Sequence, residues 1–162
     1  MSHWFSVKTR FESKKALMKA AEAMGYYMRH RTKCRGYGGQ TTKCDLVMKL
    51  PGDYDIGFQN QPDGAYAVVA DFWDNHISKY LADPNVLKKA EEMYPEIEKQ
   101  QGYKAAEANM ADAKISKFTK LYNYFLMQEI AQVQGLQYTE AILEDGSIRI
   151  EMTGEPYLKG VL

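Results

Sequence analysis

With 162 residues, 45% of them hydrophobic and 26% charged, the chain has the length and composition of one folded domain and not of a disordered one. Its apolar runs fall far short of the roughly 20 residues of a membrane span, and MSHWFSVKTR has no signal-peptide core, so a cytoplasmic protein without a membrane partner is expected. The net charge of zero conceals polarity: residues 1 to 50 carry eleven Lys or Arg against three acids, and residues 51 to 162 carry ten against eighteen.

Along the chain, His3 to Phe11 alternates polar with aromatic or β-branched residues and predicts a strand. Ser13 then caps a helix whose apolar positions run from Ala16 to Met24, with Gly25 placed to end it. Tyr26 to Lys33 and Thr41 to Leu50 read as strands, and PGD and NQPDG mark turns before Tyr54 to Gln59 and Ala65 to Phe72. These four strands form an antiparallel meander. Asp74 to Leu81 reads as a short helix, and Pro84 to Gln101 as a helix broken or kinked at Pro95. Tyr103 to Gln134 reads as one long helix. Its second half has an apolar face from Ile115 to Val133, while its Ala-rich first half is helical by propensity and free to project from the body. Leu136 to Leu143 and Ser147 to Thr153 close the chain as a hairpin about EDGS. The order β-α-β-β-β-β-α-β-β predicts an α+β two-layer domain, with helices on one face of a largely antiparallel sheet.

The loop RTKCRGYGGQTTKC, residues 31 to 44, draws most of the chemistry. If Cys34 and Cys44 face each other across a hairpin, parity puts Cys34 with Met28, His30 and Thr32, and Cys44 with Leu46, Met48 and Leu50. Both thiols then point to the core as small hydrophobes; a reversible disulfide between them is the redox alternative. No metal is expected, because two cysteines separated by nine residues with only His30 nearby lack the spacing of a zinc site. No cofactor is expected either: RGYGGQ joins two strands and lacks the GK[ST] ending of a phosphate loop.

The other side of the same hairpin carries Tyr27, Arg29, Arg31, Lys33, Arg35 and Tyr37, with Lys43 and Lys49 on the opposing strand. Such a ribbon can dock an acidic protein by charge complementarity or bind RNA through phosphate neutralisation and stacking, or it is a solvated edge that discourages aggregation. Catalytic residues are not evident. The histidines fall in no recognisable acid–base or nucleophile motif. Asp53 and Asp55 are explained as turn residues, and Asp71 and Asp74 as a strand end and helix cap. An enzyme would need a pocket assembled from groups such as Asp71 and His76.

In order, MSHWFSVKT, RGYGGQT, DYDIGF, VVADFW, the long helix running into QGLQYTEA, and EDGSIRIEM resemble the hypothetical chloroplast reading frame thirty-five family, also known as domain of unknown function 1257. The resemblance departs at about 74–114, where this chain has a helical insertion, an interaction arm unless it folds back. It implies a small soluble α+β protein of plastid, cyanobacterial or cyanophage type, in a host cytosol or plastid stroma, without an established activity or catalytic residues. Its bacterial relatives imply neighbours of two kinds, ferredoxin-type iron–sulfur proteins and a AAA-type ATPase. The expected function is therefore that of a non-enzymatic accessory protein docking an acidic partner through the basic hairpin. RNA binding by the same surface is the alternative, and the oligomeric state stays open.

Overall fold

The computed structural model describes residues 4–145 and 147–154, the side chains of Phe5, Ser6 and Lys8 excepted. His3, the expected first strand residue, and Gly146 of the final turn lie outside the described residues. The chain forms two compact units, Met1–Tyr122 and Asn123–Leu162.

In the first unit, the N-terminal alternation becomes β1, Trp4–Phe11. Ser13 accepts from the backbone N–H of Ala16 and starts α1, Lys14–Ala23, which buries Ala16, Leu17, Ala20 and Ala21. Gly25, at φ 79, takes the left-handed turn that ends it. The meander follows as β2 (Tyr27–Arg35), β3 (Thr41–Lys49), β4 (Asp55–Asn60) and β5 (Tyr66–Asp71), all antiparallel neighbours. β1 adds antiparallel to β5 with a bulge between Val7 and Arg10, giving a five-stranded sheet of order β1-β5-β4-β3-β2. The expected α+β class holds.

One face of this sheet carries Leu46, Phe58 and Val68, which are cross-strand partners in sequence. Helices cover it. Phe11 and Phe58 meet edge-on at 5.7 Å between ring centroids, and Phe118 and Tyr122 complete the aromatic cluster, with Tyr122 4.7 Å from Phe11. The Tyr122 hydroxyl accepts the backbone N–H groups of Glu12 and Ser13, joining the last helix of the unit to the start of α1.

The helical region differs from its expected outline in three places. α2 is only Ser78–Leu81. α3, Pro84–Gln101, runs through Pro95 without a break; Pro95 and Glu91 are both exposed, so water can take the carbonyl that proline leaves unbonded. The expected single helix from Tyr103 is two, α4 (Tyr103–Lys114) and α5 (Ser116–Gln134), with Ile115 at φ −116 between them. Tertiary bonds fix that break. Lys114 Nζ donates to the carbonyls of Phe72 and Asp74 at 2.7 and 2.9 Å, and Ser116 Oγ accepts the Asp83 N–H while donating to Ala113 O. Burial depresses the Lys114 pKa, so both carbonyls solvate a cation that water reaches poorly.

α4 does not project from the body. Ala106, Ala111 and Ala113 are buried, Thr9 of β1 donates to Asp112 at 2.7 Å, and Tyr94 of α3 donates to Glu107 at 2.6 Å. Alanines poor in apolar area let the helix approach its neighbours closely, which is what the sequence reading underweighted. In the second unit, β6 (Gln137–Ile142) and β7 (Ile148–Thr153) form a separate two-stranded antiparallel sheet. Val133, expected on a buried helix face, is 59% exposed. No helix among the described residues is long and apolar enough to cross a membrane.

Candidate functional site

β2 is an edge strand, so the side chains of the expected basic ribbon stand at the rim of the sheet. Its first half keeps an open cationic surface. Arg29, Arg31, Lys33 and Lys43 are exposed, Tyr27 is 71% exposed, and the Arg29 guanidinium lies 5.6 Å from the centroid of the Tyr27 ring. Among the described residues no ion pair holds any of these four cations. His30, expected to face inward, is exposed beside them.

The ladder changes character at Arg31. This residue is at φ 46, and pairing passes from His30–Leu46 to Thr32–Cys44 without an Arg31–Asp45 pair. The irregularity breaks the parity on which the sequence reading relied. Cys44 joins Cys34 and Val47 in a buried cluster against Trp4 and Val69, and so leaves the face of Leu46 and Met48. Both thiols are buried, but they are not cross-strand partners: Cys34 pairs with Thr42, and Cys44 with Thr32. Cys34 Sγ lies 3.4 Å from Asp55 O, across the sheet from its own strand neighbours. A hydrogen bond to Cys44, reinforced by burial, pushes the Cys34 thiol up and holds its proton.

The end of β2 thus folds over the second face of the sheet, and two buried carboxylates fasten it there. Asp55, fully buried, accepts from the Arg35 backbone N–H at 3.0 Å and from Arg35 Nε and Nη2 at 2.8 Å each. It also accepts from Lys49 Nζ at 3.0 Å and the Leu50 N–H at 3.3 Å. Burial alone would raise the Asp55 carboxyl, but the bonds from Arg35 and Lys49 outweigh it and hold the pKa below the usual carboxylate range. Asp55 is therefore the anchor of the hairpin and not the turn residue expected from sequence. Arg35 and Lys49 are engaged internally, whereas the ribbon reading had placed both on the open surface.

Asp71 does the same at the tip. It is fully buried and accepts the backbone N–H of Tyr37 at 3.0 Å and of Trp73 at 3.1 Å. Gly36 sits so close that a Cβ there would lie 2.6 Å from the Trp4 ring and 2.9 Å from the Asp71 side chain. Gly38 and Gly39, at φ 62 and 78, shape the exposed turn, where Tyr37 is 45% exposed. The glycine motif thus serves close approach and left-handed turns.

Sequence reasoning missed this fold-back because its partners, Asp55 and Asp71, lie 20 and 34 residues beyond the groups they hold, in ordinary-looking stretches. The only local signal is the high glycine content of the loop. His76, the other residue proposed for a pocket, stacks on Tyr54 with ring centroids 4.2 Å apart and an interplanar angle of 10°. The Tyr54 hydroxyl is buried with no hydrogen-bond partner among the described residues. Among the described residues no group of three or more His, Cys, Asp or Glu is placed to hold a metal ion.

What the arrangement offers chemically is an exposed cationic edge on a hairpin fastened by two buried carboxylates. A family model described as "Protein of unknown function (DUF1257)" matches residues 20–116. No curated protein and no solved structure gives a significant match. The matched span contains the whole β2–β5 meander, both anchoring aspartates and the helices to the start of α5, well over half of the chain. The chain belongs to the DUF1257 family.

Proposed function

We propose that this protein is a non-enzymatic binding module that docks an acidic protein partner through the outer edge of β2 and the adjoining β3. The observation that carries the reading is the contrast within one hairpin. Arg35 and Lys49 both pair with Asp55, whereas Arg29, Arg31, Lys33 and Lys43 are exposed and, among the described residues, in no ion pair beside the exposed Tyr27. Such a cationic strip with an aromatic ring at one end steers an acidic surface electrostatically and gives it an apolar contact to bury. The family resemblance favours a ferredoxin-type iron–sulfur protein or a AAA-type ATPase as that partner, in a cytosol-like compartment of a bacterium, phage-infected cell or plastid.

The test is a titration against an acidic ferredoxin-type protein and, in parallel, against single-stranded RNA, each at low and moderate salt. Saturable, salt-weakened binding to the protein that is lost in an Arg29→Glu, Arg31→Glu, Lys33→Glu variant supports the reading. Protein binding that survives this triple reversal removes the hairpin as the docking face. RNA binding without protein binding replaces the reading with the nucleic-acid one.

A further inference from the structure

The second unit carries a two-stranded hairpin on the end of α5. β6 and β7 pair only with each other among the described residues, and β6 meets the helix where the Tyr138 ring lies 6.4 Å from Tyr124 and Glu140 accepts from the Tyr124 hydroxyl. It also exposes apolar side chains: Ile142 is 80%, Leu143 41% and Ile148 39% exposed. Among the described residues no further strand pairs with either outer edge.

The open edge of β7 has a defined hydrogen-bonding phase. Leu143 N–H donates to Ser147 O at 2.8 Å, which makes residues 143 and 147 a hydrogen-bonded pair at the end of the ladder. Pairs alternate along an antiparallel ladder, so Arg149 and Glu151 direct their backbone groups to β6. Ile148, Ile150 and Met152 direct theirs outward.

The sequence of that edge is complementary to itself. Run antiparallel to its own copy about Ile150, the segment Ile148-Arg149-Ile150-Glu151-Met152 sets Ile148 opposite Met152 and Ile150 opposite Ile150. The same registration sets Arg149 opposite Glu151 twice. It also makes Ile150 a hydrogen-bonded pair with its counterpart, the phase in which the outward N–H and C=O groups of residues 148, 150 and 152 meet one another. We propose that β7 pairs with β7 of a second copy of this chain about a two-fold axis at Ile150, joining two hairpins into one four-stranded sheet.

Charge selects this occupant over a foreign strand. Arg149 Nε and Glu151 Oε1 are 3.3 Å apart within the strand, and their side chains are 61% and 57% exposed, so each is free to add a partner across the new ladder. A purely acidic or purely basic segment would set like charges against one of them; a second copy satisfies both. The four-stranded product also exceeds the three strands at which a sheet becomes independently stable.

The experiment is sedimentation equilibrium and native mass spectrometry on the full chain across a concentration series. Wild type is expected to dimerise. Arg149→Glu and Glu151→Arg each put like charges opposite one another at two symmetry-related positions and should raise the dissociation constant roughly tenfold. Mixing these two single variants should restore assembly as a heterodimer. The double exchange Arg149→Glu with Glu151→Arg, which keeps the pair within the strand and guards against a folding defect, should restore the homodimer. A wild type monomeric throughout the series, a dimer indifferent to both reversals, or a mixture no better associated than its components would each overturn the proposal.

Discussion

Replacing Asp55 by alanine tests the account of the hairpin most directly. The carboxylate is fully buried and accepts five hydrogen bonds, three from Arg35, one from Lys49 and one from the Leu50 N–H. Removing one member of a buried ion pair typically costs 3–5 kcal/mol, because the remaining charge is left without compensation. Here the Arg35 and Lys49 side chains are 39% and 26% exposed, so water recovers part of the loss and the expected cost is about 3 kcal/mol. In thermal unfolding that amounts to a fall in Tm of about 10 °C. The pH dependence carries the same signature. Asp55 has a folded pKa below its unfolded value, so its contribution is fully present above the unfolded value of about 4 and is lost as pH falls through the lower folded value. The Tm difference between wild type and Asp55→Ala should therefore be largest near neutrality and shrink in acid. A variant that melts within a degree or two of wild type at neutral pH would refute the claim that Asp55 anchors the fold-back.

The remaining predictions concern the hairpin and the residues around it. Gly36→Ala must push the tip off Trp4 and Asp71, since its Cβ would sit 2.6 Å from the indole; a destabilisation of about 1–3 kcal/mol with altered tryptophan fluorescence is expected. Tyr54→Phe removes a buried hydroxyl with no partner among the described residues, so denaturant unfolding should show no loss or a gain of up to about 1 kcal/mol. A clear loss would mean that the hydroxyl is satisfied after all. Cys34 and Cys44 are both buried, so the native protein should resist thiol labelling until denaturant is added, when two thiols per chain become reactive. Arg31→Gly relieves a left-handed conformation and should raise stability by about 1 kcal/mol, measured by denaturant titration, while weakening any acidic partner.

The strands and their meander are readable from sequence because each turn carries its own chemistry: PGD and NQPDG separate β3, β4 and β5, and Ser13 starts α1. Pairings distant in sequence are not encoded in this way. Nothing local to Trp4–Phe11 says that it adds beside β5, and nothing in Tyr103–Gln134 marks a break at Ile115, because Lys114 and Ser116 make that break by reaching residues about 30 to 40 positions away. The cysteines were expected to be buried and are. Their companions were misassigned because the ladder is interrupted where Arg31 would meet Asp45, and the change of side-chain parity between Cys44 and Val47 leaves no mark on the hydrophobic pattern. The exposed cations from Arg29 to Lys33 were expected on the surface, whereas the inward turn of Arg35 depends on Asp55, whose burial only the assembled sheet creates.

Because Asp55 holds both Lys49 at the base of the β2–β3 hairpin and Arg35 beside its tip, and Asp71 holds the tip itself, the backbone of its charged edge would have little conformational freedom left to lose on binding a partner. Binding to such an edge would cost mainly the partner's own ordering. Selectivity would then come from whether an acidic surface already follows the line of the strand that carries the cations, so rigid partners should be favoured over disordered acidic tails of equal charge.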